Sequence, residues 1–180
     1  MTETPVVALE ATSRVGRTKQ RYSADTGARL VAGVVATRPH PNPTEVMLVT
    51  SASHPNRYVL PKGGWETDEA TPESAALREA WEESGIRDCR IVRSLGTIED
   101  ARRAKHLKDG DDHIPRAEYW FFECAVGEEC TEFPESNERS RVWMSVEQAR
   151  EALQWRPELV RALERSTAWE NLSKKTTEAA

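Results

Sequence analysis

Residues 77–86 read Leu-Arg-Glu-Ala-Trp-Glu-Glu-Ser-Gly-Ile, and residues 61–64 read Pro-Lys-Gly-Gly a short distance upstream. In a helix, which turns by about 100° per residue, Glu79, Glu82 and Glu83 lie within an arc of about 100°. Like charges one turn apart, such as Glu79 and Glu83, cost a helix a few tenths of a kcal/mol. Magnesium would offset this repulsion, because it is a hard cation that binds carboxylate oxygens and shares them with substrate phosphates. The stretch therefore predicts a carboxylate cluster that holds a divalent cation, and a merely solvated cluster is the alternative.

The residues at both ends of this stretch predict where its helix begins and ends. Thr71 is a suitable N-cap, Pro72 suits the first helical position, and Gly85 suits the residue after the last turn. An apolar face that includes Leu77 and Trp81 lies opposite the carboxylates. The helix is therefore expected to use both faces, one for packing and one for chemistry.

Apolar and β-branched runs predict strands on both sides of this helix. The predicted strands are 29–37, 45–51, 58–60, 90–98, 118–126 and 141–144, with a proline-rich turn at 38–44 and a long polar loop at 101–117. Amphipathic helices are predicted at 146–153 and 157–165. This order favours a mixed α/β sandwich over a doubly wound fold. The predicted organisation is a flexible lead-in at 1–25, one domain at 26–168 and a fraying tail at 169–180.

The composition fits a soluble globular domain, with 38% hydrophobic and 31% charged residues among 180. No apolar run approaches the roughly 18 residues of a membrane span, and the N-terminus lacks the pattern of a signal peptide. The three cysteines form no CxxC pair, which favours a reducing compartment and argues against zinc. We expect a monomer in the cytoplasm or nucleus, without nucleic-acid or membrane partners.

The net charge of −5 is unevenly distributed, because residues 1–62 carry +4 and residues 63–180 carry −9. A basic half beside an acidic, cation-ready helix suits a polyanionic small molecule held between Arg or Lys side chains and a metal. An ordinary solvated basic surface is the alternative.

The segment GGWETDEATPESAALREAWEESGI, residues 63–86, resembles the Nudix box, G-x5-E-x7-R-E-U-x-E-E-x-G-U, in which U is aliphatic. The second half agrees closely, with the small Ala80 at the first U position. In the first half, eight residues instead of seven separate Glu69 from Arg78. We place the additional residue at Ala70, in the loop before the helix. This insertion leaves open the ion pair that family members form between the first Glu and the Arg of the box.

The resemblance implies a Nudix-type α/β/α sandwich and hydrolysis of a phosphoanhydride with Mg²⁺, or with Mn²⁺ as the alternative metal. It implies that Glu79 and Glu83 are metal ligands and that a carbonyl near Gly63 supplies another. Glu82 is then a ligand or the general base, with a metal-bound hydroxide as the alternative base, and Arg78 orients Glu79. Such a reaction needs metal because the negative charge of the anhydride repels hydroxide.

Residues 48–64, LVTSASHPNRYVLPKGG, are similar within that family to the diphosphoinositol polyphosphate phosphohydrolases, and the form PKGGWE…ALREAWEE is similar to their fungal members. This likeness implies removal of the β-phosphate from diphosphoinositol polyphosphates, hydrolysis of diadenosine polyphosphates and, for several members, cleavage of inorganic polyphosphate. The phosphate-binding candidates that it implies are Arg29, Ser51, Ser53, His54, Arg57, Lys62 and Gly64. Basic residues of the lead-in are further candidates: Arg14, Arg17, Lys19 and Arg21. Weaker candidates are Arg116, Arg139 and Arg141.

Two other functions stay open at this point. One is a Nudix hydrolase of a nucleotide sugar or an RNA cap, and the other is a catalytically silent module that binds inositol phosphate or polyphosphate. The intact group of three glutamates argues against the silent module. The basic start of the 101–117 segment either extends the phosphate-binding surface or belongs to an ordinary loop.

Overall fold

The computed structural model describes residues 4–38, 44–103 and 115–178. In chain order the strands are β1 (Arg29–Arg38), β2 (Glu45–Ser51), β3 (His54–Val59), β4 (Lys62–Gly64), β5 (Ile86–Arg87), β6 (Arg90–Arg103), β7 (Pro115–Ala125), β8 (Glu128–Glu129) and β9 (Arg141–Ser145). The helices are α1 (Pro72–Ser84), α2 (Val146–Leu153), α3 (Pro157–Glu164) and α4 (Thr167–Glu178). Within the described residues, no helix is both long and apolar enough to cross a bilayer.

A mixed sheet in the order β3-β2-β1-β7-β6 forms the centre of the fold, with β4 paired to β1 and β9 paired to β2. β1 is parallel to β7 over nine residue pairs, from Arg29–Ala117 to Thr37–Ala125, whereas the other pairings in this sheet are antiparallel. β1 lies in the centre because residues 30–36 are a continuous apolar run that is buried on both faces. β5 and β8 form a separate two-stranded sheet.

Helices cover both faces of the sheet, and each face has its own hydrophobic core. On one face, Val35 of β1 packs in a cluster with Leu153 and Leu163 of α2 and α3. On the other face, Val34 packs in a cluster with Ala80 of α1. This arrangement confirms the predicted α/β/α sandwich with a mixed sheet.

The ends of α1 are those that the sequence predicts. The backbone of Thr71 is extended, and its side-chain oxygen accepts a hydrogen bond from the Ser74 N–H at 3.3 Å. Gly85 ends the helix with φ at 66°, and a side chain there would also collide with the carbonyl oxygen of Cys130. These ends fix the rotation of α1, which turns Glu83 towards the backbone of β4.

The C-terminal segment differs from the expected fraying tail, because α4 continues through Glu178. Trp169 and Leu172 pack against the core formed with α2 and α3. The Glu123 carboxylate of β7 accepts hydrogen bonds from the backbone N–H and the hydroxyl of Thr167, at 3.0 and 2.6 Å. The expected domain boundary at residue 168 therefore falls inside a helix that is held by tertiary contacts.

The strands that flank the expected 101–117 loop are longer than predicted. β6 continues to Arg103 and β7 begins at Pro115, and these two residues still pair. Residues 104–114 of this loop and residues 39–43 of the expected 38–44 turn lie outside the described residues.

The lead-in has specific partners from residue 4 onwards, unlike the flexible segment expected at 1–25. The Trp81 indole of α1 donates a hydrogen bond to the Glu10 carbonyl at 2.8 Å. Further along, Gln20 forms a β-bridge with Glu66, and Tyr22 forms one with Arg29. The lead-in therefore crosses α1 and ends beside β1 and β4.

Candidate active site

Arg78 lies at the centre of the acidic cluster, and its guanidinium is almost fully buried. It pairs with Glu69 through two hydrogen bonds of 2.7 and 3.2 Å. The same group donates to Glu79 at 2.8 Å, to Glu82 at 3.2 Å and to the Gly64 carbonyl at 2.8 Å. The ion pair between Glu69 and Arg78, which the additional loop residue had left open, is therefore formed. Arg78 joins Glu69 of the loop after β4 to Glu79 and Glu82 of α1, and this bonding fixes the positions of the three carboxylates.

Glu79 approaches the backbone of β4 at Gly63 so closely that no larger residue fits there. A Cβ atom on Gly63 would overlap the carboxyl carbon and both carboxyl oxygens of Glu79. Glycine is thus required at position 63, because the Glu79 carboxylate lies directly against the backbone of that residue. Glu79 and Gly63 share one side of the cleft described below.

Glu83 is held by one backbone amide and one guanidinium. Its Oε2 accepts a hydrogen bond from the Lys62 N–H at 3.0 Å, and its Oε1 lies 2.7 Å from Nη2 of Arg139. Only 5% of the Glu83 side chain is exposed, so both contacts are largely shielded from solvent. Glu83 also lines the cleft, on the same wall as Glu79.

Glu82 has a different environment from the other two glutamates of the helix. Its Oε2 accepts hydrogen bonds from the Arg14 backbone N–H at 3.3 Å and from Arg78 at 3.2 Å. Its Oε1 is buried and has no hydrogen-bond partner in the described part of the chain. Glu82 is not among the residues that line the cleft. The lead-in thus covers this carboxylate while one of its oxygens remains unpaired.

Burial raises the pKa of all three glutamates above the ordinary value. It raises the pKa of Glu79 to about 7, with a further rise from the charge of Glu83 and a partial offset from Arg78. Burial likewise raises the pKa of Glu82 to about 7, against the opposing effect of Arg78. The pKa of Glu83 is raised for the same reason, although Lys62 and Arg139 oppose the rise. Such groups gain from any additional positive charge that approaches them.

The donor set fits a hard divalent cation. Glu79 and Glu83 are buried carboxylates that reach one cleft wall from positions one turn apart, and Gly63 supplies nearby backbone. Among residues 4–38, 44–103 and 115–178, no three His, Cys, Asp or Glu side chains converge closely enough to hold an ion by themselves. In this structure, Arg78 and Arg139 bond to these same carboxylates.

The cleft beside this cluster has two connected lobes. The carboxylate lobe, about 410 Å³, contains Glu79 and Glu83 together with Ser51, Ser53 and Gly64. The basic lobe, about 220 Å³, contains Tyr22, Arg102, Arg116 and Tyr119. Both lobes are lined by the same five residues at their junction: Arg17, Arg29, Lys62, Gly63 and Arg156. A ligand could therefore extend from the carboxylates into a strongly positive compartment.

Two arginines of the basic lobe are already paired with acids. Arg102 forms an ion pair with Asp100 at 2.7 Å. Arg156 forms an ion pair with Glu158, lies 3.6 Å from Asp100 and donates a hydrogen bond to the Tyr119 hydroxyl at 2.9 Å. These contacts hold the Arg102 and Arg156 side chains in place as part of the wall of the basic lobe.

The remaining cations of the lobe lack such partners. Arg17 and Arg116 form no ion pair among the described residues, and Arg29 is bonded through its Nε only to the Gln20 side-chain oxygen. Burial lowers the pKa of Arg29, and the charge of Arg17 lowers it further. Burial also lowers the pKa of Lys62, with Arg156 and Arg139 contributing in the same direction. Excess positive charge of this kind favours an anionic ligand.

Nine of the phosphate-binding candidates predicted from sequence line the cleft. They are Arg14, Arg17, Arg29, Ser51, Ser53, Lys62, Gly64, Arg116 and Arg139. Of these, Arg14 also pairs with Glu66 at 2.7 Å, and Gly64 is constrained because a Cβ atom would collide with the Gln20 side-chain oxygen.

The structure places five predicted residues outside the cleft. Arg21 donates hydrogen bonds to the carbonyl groups of Thr67 and Glu69, at 3.2 and 3.1 Å. Lys19 pairs with Asp68 at 2.8 Å on the exposed surface. The His54 ring lies against Trp155, with centroids 5.1 Å apart, and Arg57 is exposed on the edge strand β3. Arg141 donates hydrogen bonds to two carbonyl groups, those of Ser84 and Cys130, at 2.6 and 2.7 Å.

Arg156 is one cleft residue that the sequence did not indicate. It precedes Pro157 at the corner between α2 and α3, and no periodic or motif signal connects that corner with the glycines of β4. Arg139, a weak candidate from sequence, lies directly on Glu83. Tyr119, which the sequence places only within a strand, lines the basic lobe, and its hydroxyl accepts a hydrogen bond from Arg156.

Comparisons with known proteins point to one family. A family model described as "NUDIX domain" matches residues 27–165. Nudix hydrolase 12, mitochondrial, of Arabidopsis thaliana is 37% identical over 154 residues, which cover 77% of this chain and 72% of that protein. Diphosphoinositol polyphosphate phosphohydrolase 3-alpha of Mus musculus is 35% identical over 91 residues, 43% of this chain and 54% of that protein. A C. elegans Ap4A hydrolase structure superposes with a TM-score of 0.59 at 22% identity, covering 79% of this chain and 97% of that one, which shows the shared fold.

Proposed function

The chain belongs to the Nudix family, and from that premise we propose that it removes the β-phosphate of diphosphoinositol polyphosphates with Mg²⁺. Diadenosine polyphosphates and inorganic polyphosphate are the further substrates in this proposal. The coarser activity, hydrolysis of a phosphoanhydride, follows from the family itself. The proposed location is the cytoplasm or nucleus, and the proposed state is a monomer.

The observation that carries this substrate choice is the basic lobe next to the carboxylate lobe. Arg17 and Arg116 form no ion pair with the described residues, and a substrate whose only phosphates are those of the anhydride would leave both side chains without an anionic partner there. An inositol ring with several phosphates would fill the lobe with charge-assisted hydrogen bonds, which are bidentate where arginine donates them. The similarity to the mouse phosphohydrolase over 91 residues supports the same choice.

In this proposal the two lobes bind different parts of one substrate. The diphosphate lies against Glu79 and Glu83, while the junction residues Arg29 and Lys62 hold the phosphate next to it. When bound, Mg²⁺ held by Glu79, Glu83 and the Gly63 backbone would neutralise phosphate charge and polarise the attacking water. Buried carboxylates supply the chain's share of that site, and their shared anchor is Arg78.

We assign proton acceptance from the attacking water to Glu82. A base with a pKa near 7 is suited to neutral solution, and burial raises the pKa of Glu82 to about 7. Its unpaired Oε1 supports this assignment, because that oxygen has no competing donor in the described residues. The lead-in contact from Arg14 must shift to give water access, since Glu82 does not line the cleft. With Glu82→Gln, kcat should fall and the rise of the rate with pH should disappear.

The test is phosphate release from diphosphoinositol pentakisphosphate, diadenosine tetraphosphate and a nucleotide sugar, each with Mg²⁺ and with EDTA. Release should be fastest from the inositol substrate and should stop in EDTA. Arg116→Ala should raise KM for the inositol substrate by about tenfold, because one charge-assisted contact is lost, and should barely change it for the dinucleotide. The exposed Arg87, on β5 outside the cleft, provides the matched control, and Arg87→Ala should change neither KM.

Each alternative function has its own outcome in this assay. Fast hydrolysis of the nucleotide sugar alone would replace the substrate choice while keeping the family activity. Tight binding of inositol phosphate without release from any substrate would favour the silent binding module.

A further inference from the structure

Arg139 reaches into the carboxylate lobe although it comes from the segment before β9. All three of its guanidinium nitrogens have partners: Nε donates to Glu135, Nη1 donates to the Thr50 carbonyl at 2.9 Å, and Nη2 lies 2.7 Å from Oε1 of Glu83. Only 11% of the Arg139 side chain is exposed. A fixed, buried guanidinium therefore contacts one oxygen of Glu83, a carboxylate that is proposed to bind the cation.

Arg139 and the nearby Lys62 both offset the charge of Glu83 when no metal is near, and of these two cations Arg139 is the one in direct ionic contact. A buried carboxylate without a positive partner is strongly unfavourable, and breaking such a pair leaves an uncompensated charge. Among the described residues, Arg139 forms the only ion pair with Glu83. The other oxygen of Glu83 accepts from a backbone amide, which is a dipole without net charge.

We infer that Arg139 is the built-in counter-ion of Glu83 and that a divalent cation must compete with it for this carboxylate. The inference rests on the proposed metal site. Two positive groups within a few ångströms of one carboxylate repel each other, and the weak screening of a nearly buried site preserves that repulsion. Wild-type affinity for the cation is thus set below the value that the glutamates alone would give.

The other two contacts of Arg139 determine where its guanidinium lies once the cation binds Glu83. Its bonds to Glu135 and to the Thr50 carbonyl keep it on the lobe wall. Its Nη2 is then available to an anion in the same lobe. Arg139 is therefore a positioning residue, which compensates Glu83 before the cation binds and faces the ligand afterwards.

The test measures Mn²⁺ binding to substrate-free protein by isothermal titration calorimetry, so that turnover plays no part. Arg139→Gln removes the competing charge and should tighten Mn²⁺ binding by about tenfold or more. Arg17→Gln is the matched control, because Arg17 lines the same lobe without an ion pair among the described residues. Removal of that charge should change the affinity by less than about threefold, as expected for an exposed group in water.

The outcomes separate this inference from the proposed function. Equal or weaker Mn²⁺ binding by Arg139→Gln would overturn it, as would equal tightening by Arg17→Gln. If Arg139→Gln does not fold, Arg139→Lys decides, because one ammonium cannot reproduce the three-way contact. That variant should bind Mn²⁺ about threefold more tightly, and wild-type affinity would contradict the inference. Absence of Mn²⁺ binding in the wild type would refute the proposed metal site itself.

Discussion

Substitution of Gly63 by alanine should disable the carboxylate lobe while leaving the fold intact. The added Cβ would overlap the whole carboxyl group of Glu79, and ordinary contact begins only at 3.4 Å, so the carboxylate must retreat by about 1 Å. A misplacement of about 1 Å near the reacting atoms can cost on the order of 10²-fold in rate. The retreat also strains the 2.8 Å bond between Glu79 and Arg78, and overpacking of this kind costs about 1–3 kcal/mol of stability.

The assay combines phosphate release with chemical unfolding of the same variants. For Gly63→Ala, kcat should fall about 10²-fold and the Mn²⁺ affinity should fall with it, since Glu79 is displaced from the shared wall. Gly64→Ala is the matched control, because its Cβ meets the ends of the flexible Gln20 and Arg29 side chains and no carboxylate. That variant should alter KM more than kcat. A Gly63→Ala enzyme with unchanged kcat and metal affinity would show that Glu79 does not act from its observed position.

Three further predictions follow from the same geometry. Glu83→Gln should lower kcat by about 10²-fold or more while the circular dichroism spectrum stays unchanged, and a wild-type rate would rule out the metal assignment. Arg29→Ala should raise KM for the inositol substrate, whereas Arg57→Ala, on the exposed edge strand, should not; the reverse order would refute the placement of the cleft. In EDTA, the free energy of unfolding should decrease as the pH rises from about 4.5 to about 7. Burial raises the pKa of Glu79 from 4.5 to about 7 in the folded state. Between these pH values the folded state therefore binds more protons than the unfolded state, so its stability falls as the pH rises. The loss is at most about 3 kcal/mol for this one group, and urea unfolding with Mg²⁺ present should show a smaller loss, because the cation favours the charged form.

Local chemistry made α1 and its carboxylates predictable from sequence. The N-cap Thr71, the helix-starting Pro72 and the helix-ending Gly85 each act over one turn, so their effect is visible in a short segment. The strand β1 was predictable because a run of apolar residues without alternation suits a central strand. The box spacing then placed Glu79 and Glu83 on one wall, where the structure also has them.

Residues whose roles depend on tertiary packing were not predictable in the same way. α4 has few local signals, and it is stabilised by Trp169 packing on the core and by the bonds of Thr167 to Glu123. Arg57 was expected at the phosphates from its place in a motif, but the position of β3 at the sheet edge leaves it exposed. Arg156 enters the cleft only because α3 packs against β6, and no sequence spacing encodes that contact.

The parallel pairing of β1 with β7 has a consequence for synthesis of the protein in the cell. The partners Thr37 and Ala125 are far apart in sequence, so at about 5–20 residues per second the ribosome needs several seconds to deliver the second strand after the first. During that interval the backbone edge of β1 that β7 will cover is unpaired and open to pairing with other chains, which is a hazard of slow, long-range strand pairing. Chaperone occupancy of the nascent chain, and loss of yield at high expression rates, should therefore be greatest before residue 125 has emerged.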